Sequence, residues 1–291
     1  MLFLGTGGAE LVPNPYCECD VCRFARASAD ARERRARSSF FIDSGNLIDC
    51  GPDTTYAADR YGCSLSGLKN LFMTHLHSDH FDITSLEAMI MSVTEPPHLQ
   101  VYLSEEAYHG LQLLAKAAES LPLNALERHK KRYPELLTFH PIHPFDSFVT
   151  DDGMHVTALK TNHPGCYQGE YSLNYLFERN GKRFLYACDT GRYAEENFEQ
   201  LKDMKLDYLI LEGSFGLRDV PADFKHMSCD GIEWMVSRFI ENGNLTQDTA
   251  FYITHISHKA MLTHFAYEKE MRRRCGDFVN IAYDGLEIGS F

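Results

Sequence analysis

Thr74-His75-Leu76-His77-Ser78-Asp79-His80 is the stretch on which the reading turns. The apolar run Leu71-Phe72-Met73 comes just before it, so His75 leaves the end of a strand. Residues two apart on an extended segment point to the same side, and His75 and His77 can therefore share one metal ion. Asp79 and His80 fall in the turn before a helix and can reach a second ion close by. Asp82 can cap that helix by accepting an orphan backbone N–H. Imidazoles and a carboxylate with no thiolate alongside suit Zn²⁺, Mn²⁺ or Fe²⁺.

Working outward, three more ligand-type residues stand just past apolar strands. His163 follows Val156-Thr157-Ala158-Leu159 through a short polar step. Asp189 follows Phe184-Leu185-Tyr186-Ala187-Cys188, and His255 follows Ala250-Phe251-Tyr252-Ile253-Thr254. In layered α/β folds, strand ends gather along one edge, where reactive groups converge. Many short strands alternate with helical patterns, which predicts a layered α/β sandwich rather than one open parallel sheet. The helices expected include 19–34, 105–120, 124–132 and 259–273. No repeat, low-complexity tract or Pro/Gly/Ser linker divides the chain, so residues 1–291 read as a single domain. Residues 97–148 are rich in helix formers and in histidine, and they read as a helical insertion shaping the mouth of the site.

The order HLHSDH, then His163, then Cys188-Asp189-Thr190-Gly191, then Thr254-His255 resembles the metallo-β-lactamase superfamily, over nearly the whole chain. The resemblance implies an αββα sandwich. It also implies that His75, His77 and His163 hold one metal, that Asp79, His80 and His255 hold the other, and that Asp189 bridges the two. Asp49, at the end of the strand Asn46-Leu47-Ile48, looks like the carboxylate that orients a ligand histidine through its other ring nitrogen. Two cations ~3.5–4 Å apart acidify a shared water and offset charge on a phosphoryl or acyl oxygen, so no protein nucleophile is needed. Cys188 reads as a packing residue.

A second metal is legible in the Pro-rich loop Pro13-Asn14-Pro15-Tyr16-Cys17-Glu18-Cys19-Asp20-Val21-Cys22. Cys17, Cys19 and Cys22 bring three thiolates within reach of one tetrahedral Zn²⁺. His258 serves as the fourth ligand if a bend after the strand turns His255 and His258 to opposite sides. This loop, Gly5-Thr6-Gly7-Gly8-Ala9, the THISH run at 254–258 and the closing Tyr283-Asp284-Gly285-Leu286-Glu287-Ile288 together resemble the PhnP-like phosphodiesterases of the carbon–phosphorus lyase pathway. That resemblance implies opening of the five-membered ring of phosphoribosyl 1,2-cyclic phosphate, with related members acting on other phosphodiesters, cyclic nucleotides included. By the same resemblance His226, just before a helix, is the general acid. The histidines of 97–148 and Tyr133 match no role in that group.

Composition sets the remaining bounds. A formal charge of −13 excludes a broad electrostatic grip on nucleic acid. The clusters Arg32-Arg34-Arg35-Arg37 and Arg272-Arg273-Arg274 read as solvated helix faces. Nine cysteines without an export signal favour free thiols and metal ligands over disulfides. Met1-Leu2-Phe3-Leu4 reads as a strand, no apolar run is long enough to cross a bilayer, and a soluble cytoplasmic protein is expected. A small-molecule substrate is expected, and a homodimer is compatible with the reading. The competing functions are a tRNA 3′-end endonuclease of the same fold, which needs a basic RNA-gripping arm, a thioester or lactone hydrolase, and a non-catalytic metal-holding scaffold.

Overall fold

The computed structural model describes residues 1–120 and 136–291. Two sheets are stacked. In the first, strands run in sequence order: β1 (Leu2–Gly5), β2 (Ser39–Asp43), β3 (Asn46–Ile48), β4 (Asn70–Phe72), β5 (Leu99–Ser104) and β6 (Leu137–Ile142). In the second, β7 (Ser147–Val149), β8 (His155–Pro164), β9 (Tyr171–Arg179), β10 (Lys182–Ala187), β11 (Tyr208–Glu212), β12 (Ala250–Thr254) and β13 (Val279–Ile281) follow one another likewise. Helices α1 (Asp20–Ala27), α2 (Thr54–Arg60), α3 (Ile83–Ile90), α4 (Glu105–Ser120), α5 (Glu195–Gln200), α6 (Cys229–Glu241) and α7 (His264–Cys275), with short 3-10 turns at Ala31–Glu33 and His258–Ala260, complete the described elements. This is the αββα sandwich of the metallo-β-lactamase fold.

Strand alternation explains the layering. Phe72 points between the sheets while Leu71 and Met73 point outward, and Phe184 and Tyr186 alternate in the same way with Leu185 and Ala187. Three apolar layers result. An aromatic layer between the sheets joins Phe3, Phe40, Phe72, Tyr175, Phe177 and Phe184. Leu47, Leu71 and Val101 pack outward with residues of α2, α3 and α4, and Leu209, Leu211 and Phe251 with residues of α5, α6 and α7. Strands buried on both faces read as continuous apolar runs, which is why β4, β10, β11 and β12 stand out in the sequence.

Several expectations change. The helix read across 19–34 stops at Ala27, and Arg35 lies in extended backbone, exchanging two hydrogen bonds with Val12 (2.7 and 3.1 Å). Arg35 is buried, donating to Thr6 Oγ1 and the Ala282 carbonyl, so this cluster is not a solvated helix face. Tertiary pairing has overridden local helix propensity there. Arg272, Arg273 and Arg274 do lie on a helix, paired with Glu268, Glu270, Asp230 and Glu233. The helix read from 259 begins at His264, because Met261 takes a left-handed φ of 61° and Thr263 then caps the new start. Within 97–148, β5 and β6 extend the first sheet in parallel and β7 edges the second, so helix is confined, among the described residues, to α4. The helix expected at 124–132, His129 and Tyr133 lie outside the described residues. No helix among the described residues is long and apolar enough to cross a membrane.

Candidate metal centre

Most of the functional residues leave the C-terminal ends of parallel strands, whereas His163, expected just past its strand, lies within the antiparallel strand β8. Asp49 follows β3, Thr74 and His75 follow β4, Asp189 follows β10, Glu212 ends β11 and His255 follows β12. The backbone bends sharply at these points. Asp49, Asp189 and His255 have left-handed φ values of 59°, 50° and 54°. Non-glycine residues held there cost ~1–3 kcal/mol each, and such strain gathers at functional sites.

Three donor groups share Asp189: the two expected ones, and a third made of Asp189, Glu212, His226 and His255. His75, His77, His163 and Asp189 offer ligand atoms all within 4.8 Å of one another, and so do Asp79, His80, Asp189 and His255. In the first, His75 Nε2 lies 2.7 Å from His77 Nδ1, and His163 Nε2 lies 3.2 Å from that same atom. In the second, His80 Nε2 is 2.8 Å from Asp189 Oδ2 and 3.3 Å from both Asp79 Oδ2 and His255 Nε2. Donors ~2.0–2.1 Å from a tetrahedral cation stand roughly 3.3 Å apart, so these spacings suit metal ions.

The outward ring nitrogens make the case stronger. His80 Nδ1–H donates to Asp49 Oδ2 (2.6 Å), and Asp49 also accepts from the backbone N–H and the hydroxyl of Thr74. His75 Nδ1–H donates to Thr74 Oγ1 (3.0 Å), His163 Nδ1–H to the Lys225 carbonyl (3.3 Å) and His255 Nδ1–H to Ser214 Oγ (2.9 Å). Each bond fixes the tautomer whose Nε2 lone pair faces inward, the device that orients metal-binding histidines. Burial holds His75 neutral and brings His163 down to about 4, despite the nearby Asp189. Asp189 Oδ2 lies 3.3, 2.8 and 3.9 Å from His75, His80 and His163 Nε2, while Oδ1, beside His255 and His226, is buried without a hydrogen-bond partner among the described residues. The residues present fit a pair of divalent cations.

The sequence reading missed Glu212. Fully buried, it accepts His226 Nδ1–H on Oε1 (2.9 Å) and the Ser214 hydroxyl on Oε2 (2.5 Å). Through Ser214 it reaches His255, and it also accepts the backbone N–H of Thr190 (3.2 Å). His226 thus stands beside Asp189, with no hydrogen-bond partner on Nε2 among the described residues and its ring stacked on Phe215 at 5.5 Å. Burial acts against its protonation, but the Glu212 carboxylate outweighs this and raises the imidazole above its ordinary range. Glu170 was missed too: buried, it accepts from the N–H of Leu76 and of Tyr167, tying the loop after β8 to the histidine motif. Cys188 is buried beside Asp189 with its thiol pushed up by burial, as a packing residue should be.

The second site is built on His258, three residues beyond His255. Cys17, Cys19, Cys22 and His258 gather within 4.8 Å, and Cys19 Sγ is 3.5 Å from His258 Nδ1. Burial opposes ionisation of Cys19, but the Cys22 N–H and His258 outweigh it and bring the thiol to about 6. Such a donor set suits one tetrahedral zinc. Of the 97–148 histidines, His98, His140 and His143 bond to Thr138, Gln100 and Glu105, away from both clusters.

Above the centre opens a cavity of about 570 Å³, lined among others by His77, Asp79, His163, Asp189, Phe215, His226 and His255. Comparisons agree with this architecture. A family model described as "Anti-Pycsar protein Apyc1" matches residues 28–228, from ahead of β2 to past His226. A solved structure of a diphosphatase from the PhnP family superposes with a TM-score of 0.69 at 24% identity, over 99% of this chain and 96% of that one. Among curated proteins, an octanoyltransferase of Porphyromonas gingivalis is 39% identical over 27% of this chain, and a ribonuclease Z of Crocosphaera subtropica is 28% identical over 34% of it. The chain spans 16% and 28% of the length of those two relatives.

Proposed function

The chain belongs to the anti-Pycsar protein Apyc1 family, and from that membership and the site geometry we infer a metal-dependent hydrolase of small phosphodiesters, cyclic ones such as phosphoribosyl 1,2-cyclic phosphate first among them. The observation that carries the reading is the pair of donor clusters joined at Asp189, with four outward ring nitrogens fixed by the protein. Two divalent cations bound there, zinc or manganese, supply the Lewis acidity that ionises water at neutral pH and offsets phosphoryl charge. The chain does the rest. Asp189 is shared by both clusters and sets their separation, while Asp49 and Thr74 lock His80 and His75 in place. His226, aligned by Glu212, holds a proton for the leaving alkoxide oxygen, a step typically worth ~10²–10⁴ in rate. A positioned acid serves an alkoxide leaving group far more than a thiolate, which favours phosphodiesters over thioesters.

The cavity volume of about 570 Å³ suits a small ligand. The Cys17, Cys19, Cys22 and His258 site, filled with zinc, clamps the N-terminal loop to the turn that carries His255 and plays no chemical part. A tRNA-processing reading draws on the ribonuclease Z likeness, but the formal −13 opposes a long RNA contact. Purified metal-loaded protein is to be assayed on a pentose cyclic phosphodiester, a linear aryl diester, a thioester and a precursor tRNA. The cyclic diester should give the largest kcat/KM. Preference for the thioester or for RNA overturns the assignment.

A further inference from the structure

Asn162 stands on β8 one residue before His163 and contributes no donor to the clusters around Asp189. The pairing of β8 with β9 is irregular between Lys160 and Pro164, so these consecutive side chains converge on one segment instead of pointing to opposite faces. That segment is Asp223-Phe224-Lys225, whose three carbonyls accept in succession. Asn162 Nδ2 donates to the Asp223 and Phe224 carbonyls (3.1 and 3.2 Å), and His163 Nδ1–H to that of Lys225 (3.3 Å). His226 comes next in the chain. Asn162 Oδ1 meanwhile accepts the Gly191 N–H (2.8 Å), two residues past Asp189. One amide thus joins the turn of the shared carboxylate to the backbone that carries His226. The two backbones touch there, since a Cβ on Gly191 would lie 2.0 Å from the Phe224 carbonyl oxygen.

Residues 217–225 form a surface strap whose ends are tied together. Phe215 N–H donates to the Met227 carbonyl (3.0 Å) and Cys229 N–H to that of Gly216 (2.7 Å). Between those ties Leu217, Arg218, Asp219, Pro221, Ala222 and Asp223 are exposed, so little apolar burial fixes the strap. Glu212 and Phe215 set the rotation of the His226 ring, whereas the place of its backbone depends on the foot of the strap. A displacement of about 1 Å in a reacting group can cost ~10² in rate. We propose that Asn162 is a positioning residue for the reaction: its amide docks the strap against β8 and so holds His226 at the leaving oxygen. This rests on the reading of His226 as proton donor and adds the group that sets its reach.

The test uses metal-loaded protein and two diesters. A pentose cyclic phosphodiester loses an alkoxide, which needs a proton, whereas bis-p-nitrophenyl phosphate loses a phenolate, which does not. N162A should lower kcat ~10–10²-fold on the cyclic diester and about threefold at most on the aryl one, with KM little changed and the metals retained. N162D keeps an acceptor for Gly191 but sets a carboxylate against two carbonyls, and it should lose as much as N162A. On the cyclic diester N162A/H226A should be no slower than H226A, since the clamp acts through that ring. Hydrogen exchange reads the clamp without turnover: the amides of 217–226 should exchange about tenfold faster in N162A, with those of β11 unchanged. Equal losses on both diesters in N162A, or unchanged exchange in the strap, overturn the role. A selective loss in H226A without one in N162A overturns Asn162 alone. Equal losses on both diesters in H226A overturn the proton-donor reading, and the positioning role with it.

Discussion

At the scale of single residues, the division of labour is sharp enough to test by substitution. His75→Ala or Asp189→Ala should abolish turnover together with the active-site metals, because each removes a donor that the surrounding bonds have oriented. Cys19→Ser should lower zinc content and thermal stability and leave most turnover, as its cluster lies beyond the His255 turn. Metal analysis beside initial rates separates the two classes, and equal activity in all three variants contradicts the assignment. His226→Ala should reduce kcat by ~10²–10⁴ with both metals retained. Loss of metal in that variant would instead make His226 a ligand. Glu212→Gln should cut kcat less, since an amide oxygen still accepts from His226 while its NH₂ opposes the Ser214 donors. Glu212 was within reach of the sequence reading, because it closes the apolar run Leu209-Ile210-Leu211 just as Asp189 and His255 follow theirs. It escaped notice because it is the last residue of its strand rather than the first beyond it, and because it touches the centre through His226 and Ser214.

At the scale of elements, what could be read depended on burial. β4, β10, β11 and β12 are covered on both faces and show as unbroken apolar runs, so their ends, and with them most of the site, were legible. β6 was not foreseen: it is an edge strand with Pro141 inside it, and proline within a run argues against a strand except at an edge. β7, only three residues long, edges the other sheet and leaves no pattern. Asp49 depends on the joint between the turn after β3 and the turn after the histidine motif. There Cys50 N–H donates to the His80 carbonyl (2.8 Å) and Asp82 N–H to the Cys50 carbonyl (2.9 Å). Gly51 lets the two turns close, since a Cβ on it would lie 2.1 Å from the Asp79 carbonyl oxygen. Gly51→Ala must therefore push the metal-binding turn aside. We expect a loss of ~1–3 kcal/mol in stability and weaker metal retention against a chelator, measured by urea unfolding and by competition. Unchanged metal affinity would show that the turn adapts without moving Asp79 or His80.

At the scale of the whole molecule, a polar knot distant in sequence joins the N-terminal loop, the extended segment through Arg35, α7 and the closing segment. Arg35 Nη2 donates to His264 Nδ1 (3.0 Å), and Asp284 accepts from the Thr6 N–H and hydroxyl (2.9 and 2.7 Å). Burial, then the charges of Arg35 and Arg32, depress His264 from 6.5 to about 3. Burial lifts Asp284 from 3.8 to about 6, against its hydrogen bonds and the Arg35 charge. The two have opposite linkage. The folded state refuses a proton on His264 that the unfolded chain accepts, so stability from this ring is full above 6.5 and is lost as pH falls towards about 3. The folded state keeps a proton on Asp284 that the unfolded chain releases, so this group weakens the fold as pH rises from 3.8 to about 6. Each slope is at most about 1.4 kcal/mol per pH unit, and between roughly pH 4 and 6 they largely cancel. His264→Gln keeps an acceptor for Arg35 and removes one side of the balance. Relative to wild type it should gain stability steadily as pH falls from 6.5 to 4 in paired urea titrations. Comparing the two proteins at each pH cancels the acid loss of metal common to both. Parallel curves would mean that His264 takes up its proton in the folded protein, and that the Arg35 knot opens to let it.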